Sequence, residues 1–124
     1  MSILVWKAYL KLIVFDLYLS RGNFAAIYYK VSHYPIRKVV SSPCMADRVC
    51  ASVDMASIWY WKEVLCLQRS AATACLLKRH GIPAQMVIGA QRIPFKAHAW
   101  VEVEGRVVND KPYMSEMYAI VDRF

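Results

Sequence analysis

The sequence predicts an α+β domain in which N-terminal helices are followed by a small antiparallel sheet packed on one of them. Through the first half, apolar residues recur at three- and four-residue spacing, the mark of helices with a core-facing stripe. After His80-Gly81-Ile82-Pro83 the pattern changes to short apolar runs punctuated by Gly89 and Glu104-Gly105, which reads as strands joined by turns. At 124 residues the chain fits one domain, with 1–61 as a helical part and 62–112 as the part that carries the chemistry. A globule of this size buries roughly two thirds of its unfolded surface, so a core forms without disulfides.

Residues 3–19 read as a strongly apolar helix: Leu4, Ala8, Leu12, Phe15 and Leu19 share one stripe, Lys7 and Lys11 another face, and Ser20-Arg21-Gly22-Asn23 stops it. A short helix runs from Phe24 to about Ser32 and ends before Tyr34-Pro35, because the residue before a proline resists the helical region. Ser41-Ser42-Pro43 marks a loop. Met45 to about Trp61 is again helical, with Val49, Val53, Ala56 and Tyr60 on one stripe. Residues 66–80 contain Ala71, Ala72, Ala74, Leu76 and Leu77 and neither proline nor glycine until Gly81, which suits a left-handed cap, and Pro83, which forbids continuation. Ala84 to Ile88 is a strand ended by Gly89; Ala97 to Val103 and Arg106 to Asp110 form a hairpin about Glu104-Gly105.

Composition narrows the partners. A hydrophobic fraction of 58% exceeds the usual half, so either the core is large or apolar surface is kept for a partner. The net charge of +7 favours an acidic peptide, an acidic protein, nucleic acid or an anionic membrane surface, but Lys and Arg are scattered and no nucleic-acid recognition motif is present. Lys7, Lys11 and Asp16 interrupt the first apolar run, which counts against a membrane span and, with no small-residue cleavage site, against an export signal. A reducing cytoplasm is therefore expected, with Cys44, Cys50, Cys66 and Cys75 as free thiols. Their spacing makes neither a zinc knuckle nor a thioredoxin motif, and no metal or other cofactor is expected.

The chemistry is expected at Cys66. A thiol attacks a carbonyl only as thiolate, and the free amides and dipole of a helix N-terminus lower a thiol's pKa. The same amides, that of Cys66 above all, suit an oxyanion hole, and Leu67, Arg69 and Trp100 are further candidates for substrate or oxyanion contact. Cys75 lies nine residues on, about half a turn round the helix, and is expected in the core. A base and a group that orients it come from His98 and Asp110 if the hairpin has the right register. A three-residue Val103-Glu104-Gly105 loop with Gly105 in the left-handed position sets Glu102 opposite Arg106, Trp100 opposite Val108 and His98 opposite Asp110. A two-residue Glu104-Gly105 turn sets Asp110 opposite Ala99, on the other face.

The run Cys66-Leu67-Gln68-Arg69-Ser70, followed by Leu76-Leu77, Gly81-Ile82-Pro83-Ala84, Val87-Ile88-Gly89, Phe95, Ala97-His98-Ala99-Trp100-Val101-Glu102, Gly105 and Asn109-Asp110, resembles the transglutaminase-like domain of lasso-peptide biosynthesis proteins. The likeness is dense over residues 60–112. It implies a papain-like and transglutaminase-like fold with Cys66, His98 and Asp110 as the triad. It also implies a protease that removes the leader from a ribosomally made precursor peptide, before an ATP-dependent cyclase closes the ring. Some members carry an N-terminal module that grips the leader, and 124 residues leave no room for one, so the likeness is to the stand-alone type, served by a separate leader-recognition protein.

Other readings stay open at this stage. The same triad serves acyl transfer to an amine, and a non-catalytic binding module with a vestigial site needs no triad at all. Arg69 and Ser70 suit structural roles equally, with Ser70 bonding back within its own helix. Trp100 suits packing, Trp59-Tyr60-Trp61 suits the core, and His33 and His80 read as surface or cap residues.

Overall fold

The structure, a computed structural model, describes residues 3–39, 42 and 44–124. The elements are α1 (Ile3–Ser20), α2 (Phe24–Ser32), α3 (Met45–Trp59), α4 (Cys66–Arg79), β1 (Ala84–Gln91), β2 (Lys96–Val103), β3 (Arg106–Val107), α5 (Met114–Met117) and β4 (Ala119–Arg123). The strands form one antiparallel sheet in the order β3-β2-β1-β4. The α+β class is as expected, while α5 and β4 lie in a stretch to which the sequence assigned no element. Ser41 and Pro43 of the expected loop lie outside the described residues.

Helix α4 is the centre of the molecule. Ala71, Ala72, Ala74 and Cys75 are fully buried, and such small side chains let α1, α3 and one face of the sheet approach it closely. That layer is completed by Ala8, Leu12 and Phe15 from α1, Val49, Val53 and Ala56 from α3, and Met86, Ala99 and Val101 from the strands. A smaller cluster of Val87, Trp100 and Met114 covers part of the sheet's other face. Gly81 closes α4 as expected: with φ +81°, it and Ile82 return their amides to Lys78 (3.0 Å) and Leu77 (2.9 Å). A Cβ there would also stand 2.5 Å from the Val39 carbonyl oxygen, so the position excludes every other residue twice over.

Polar bonds tie α1 to the N-terminal end of α4. Gln68, 1% exposed, donates from Nε2 to the Leu12 carbonyl (2.8 Å), and its Oε1 accepts weakly from the Leu65 amide (3.4 Å). Asp16, also buried, takes the Tyr60 hydroxyl and the Lys62 ammonium, each at 2.7 Å. Both fix the segment that leads into Cys66.

Five expectations are corrected. Helix α3 stops at Trp59, and of the expected core aromatics only Tyr60 is buried; Trp59 and Trp61 are 63% and 73% exposed. Strand β1 does not end at Gly89 but continues to Gln91. Gly89 stays inside the strand because a Cβ there would meet the Trp100 ring at 2.6 Å and the Tyr118 Cβ at 2.7 Å. The strand expected from Arg106 to Asp110 is ordered as a ladder only over Arg106–Val107. Its turn has two residues, not three: Val103 pairs with Arg106 and Glu102 with Val107. Glu104 (φ 52°) and Gly105 (φ 77°) are both left-handed, as a type I′ turn requires.

Candidate active site

Cys66 is the first residue of α4. Leu65 before it is extended (φ −77°, ψ 154°), and the helix begins when the Arg69 amide reaches the Leu65 carbonyl (2.9 Å). The amides of Cys66 and Leu67 therefore head the helix, where no preceding turn offers them a carbonyl. The Cys66 side chain is half-buried and lines one cleft with His98. Phe24, Leu67, Ile88, Ala97 and Ala99 supply the rest of its wall, which is apolar, and its volume is about 190 Å³.

His98 stands on β2, 22% exposed, and its Nε2 bonds Asp110 Oδ2 at 2.6 Å, a short charge-assisted distance. With Nε2 engaged, Nδ1 is the ring nitrogen left for a thiol. Stacking on Tyr118 (ring centroids 5.5 Å apart) packs one face of the imidazole. Burial raises the pKa of the Asp110 carboxyl, but the His98 hydrogen bond, the Lys111 amide at 2.8 Å and the charges of His98 and Arg69 outweigh it and hold it below the ordinary carboxylate range.

This pair forms in spite of the turn. The expected three-residue loop is absent, and a ladder continued from the observed two-residue turn would set Asp110 opposite Ala99 and away from His98. The ladder instead breaks. The Val108 amide still bonds the Val101 carbonyl (3.0 Å), but the Val101 amide is taken by Asn109 Oδ1 (2.8 Å). Beyond that point the chain leaves the sheet edge and brings Asp110 to His98.

The remaining candidates separate. Arg69 lies between two carboxylates, 3.8 Å from Asp54 and 3.7 Å from Asp110, which makes it a tie between α3, α4 and the Asp110 segment. Ser70 does not bond back within its helix; its hydroxyl donates to the Ala99 carbonyl on β2 (3.0 Å). Trp100 does not wall the cleft. It is fully buried, its ring lies 6.1 Å from that of His98, and its indole N–H is held by the buried Glu102 at 3.0 Å, so it supports the imidazole from behind. His33 and His80 cap α2 and α4, as expected.

Cys75 is fully buried, and burial pushes its thiol up to about 11, as burial and Asp54 do at Cys50. Tyr118 went unnoticed in the sequence, although Ala119-Ile120-Val121 after it carries a strand-like signal.

A family model described as the Transglutaminase-like superfamily matches residues 10–123. A 56-residue stretch is 41% identical to the microcin J25-processing protein McjB of Escherichia coli, covering 45% of this chain and 27% of that protein. The chain thus spans about a quarter of that relative's length. No solved structure matches the chain significantly. Among the described residues no helix is long and apolar enough to cross a membrane.

Proposed function

This chain belongs to the Transglutaminase-like superfamily, and from that premise we propose that it is a cysteine peptidase that removes the leader from a lasso-peptide precursor. The observation that carries the reading is the 2.6 Å bond from His98 to Asp110 on the wall of the cleft that Cys66 also lines. The relative's printed role, processing of microcin J25, supports the choice of a ribosomally made peptide as substrate.

In this reading His98 Nδ1 takes the Cys66 proton, and the thiolate adds to the carbonyl carbon at the leader–core junction. The amide of Cys66 at the head of α4 donates to the oxyanion. The imidazolium, oriented by Asp110, returns the proton to the departing amine, which leaves as the free N-terminus of the core peptide. His98 then deprotonates water, which opens the leader thioester and restores the thiol. No cofactor enters these steps. A separate leader-recognition protein presents the precursor, and an ATP-dependent cyclase consumes the new amine, all in the cytoplasm. The family's transglutaminase chemistry favours one second reading, in which an amine replaces water and the product is a cross-link.

The test is mass spectrometry of a lasso precursor incubated with the recognition partner and either wild type or Cys66→Ala. Leader loss with wild type alone is the expected result. A joined product points to acyl transfer, and uncut precursor in both samples, with folded proteins and bound partner, points to a binding module.

A further inference from the structure

We infer that Asn109, held by Ser70, is the positioning residue that turns Asp110 onto His98. The argument starts from the turn. Pairing of Val103 with Arg106 and Glu102 with Val107 leads a regular ribbon on to Val101 with Val108, Trp100 with Asn109 and Ala99 with Asp110. In that ribbon Val101 and Val108 exchange both of their bonds. Only half of the exchange survives: Val108 donates to Val101, while Asn109 Oδ1 occupies the place of the Val108 carbonyl at the Val101 amide. The side chain of residue 109 thus ends the ladder one residue before Asp110 would be committed to the wrong face.

Ser70 fixes which way the amide points. Its hydroxyl proton goes to the Ala99 carbonyl (3.0 Å), so its oxygen is left to accept, and Asn109 Nδ2 donates to it at 3.1 Å. A flipped amide would set an NH2 against the Val101 N–H and a carbonyl against an oxygen with no proton to give. Ser70 is fully buried on α4, one turn from Cys66. The network therefore runs from the nucleophile's helix through Ser70 and Asn109 to the segment bearing Asp110, and crosses β2 on the way. Its other side is braced by Arg69, 3.7 Å from the same carboxylate.

The consequence for rate rests on the peptidase reading; the geometry does not. In the wild type, scalar coupling across the hydrogen bond links Val101 15N to Asn109 13Cγ, and a coupling to the Val108 carbonyl carbon instead overturns the inference whatever the variants do. In Asn109→Ala, the His98 Nε2 proton resonance is lost to exchange and a cross-strand contact between Ala99 and Asp110 appears. Precursor cleavage falls about 100-fold in kcat with little change in KM, the usual order for a misplaced catalytic group. Asn109→Asp keeps an oxygen for the Val101 amide but sets its second oxygen against that of Ser70, and so recovers the resonance and the rate only in part. An Asn109→Ala protein that retains the His98 resonance refutes the role. If wild type itself cuts nothing, the peptidase reading fails while coupling and resonance still decide the inference.

Discussion

On the Asp110 carboxyl, burial and hydrogen bonding pull in opposite directions, and hydrogen bonding wins. A carboxyl held below its unfolded pKa of about 3.9 stabilises the fold fully above that value and loses its contribution as pH falls through the folded value. Asp110→Asn is therefore expected to be less stable than wild type at pH 7, with the gap closing below about pH 4. Urea unfolding of both proteins across that range checks it; a gap that widens on acidification contradicts the sign. Burial also sets Cys75 apart among the thiols. Cys75, pushed up to about 11 with no surface exposed, should resist iodoacetamide at pH 7.5 in the native protein while Cys66 reacts, as peptide mapping would show.

The elements were legible where a local rule decided them. Helix α4 starts and stops where its composition, Gly81 and Pro83 require, and the candidate site residues could be picked out because Cys66 begins a helix and His98 and Asp110 flank one turn. The register was misread for a specific reason. A type I′ turn needs two left-handed residues, and Glu104 is a poor choice for the first, so the sequence favoured the loop that asks this of Gly105 alone. Glu104 accepts that conformation at a cost of about 1 kcal/mol. Glu104→Asn should recover roughly 0.5–1 kcal/mol without altering the fold, and thermal or urea unfolding would show it. The extent of β1 was hidden because Gly89 looks like a terminator until Trp100 and Tyr118 are seen to need its space. Asn109 was hidden because no local pattern announces a side chain that stands in for a backbone carbonyl.

Over the whole molecule, the helical half serves the site through a few buried polar bonds. The Asp16 carboxylate accepts from Tyr60 and Lys62 and is held below its ordinary range, since those bonds outweigh its burial. Tyr60→Phe removes one of the two 2.7 Å bonds from a buried charge and is expected to cost about 1.5–3 kcal/mol in urea unfolding. A loss below a few tenths would mean that Lys62 and Ser20 satisfy Asp16 without it.

The bond from Gln68 to the Leu12 carbonyl joins residues 56 apart in the chain, and that separation imposes an order on assembly. A nascent chain that has emerged only as far as Arg79 already carries α1, Gln68 and Cys66, but neither His98 nor Asp110 has yet emerged. The helix can dock and its thiol can be placed before the imidazole arrives beside it. The meeting of Cys66 with His98 and Asp110, on this view, comes late, when a short ribbon closes on a helix that was waiting for it.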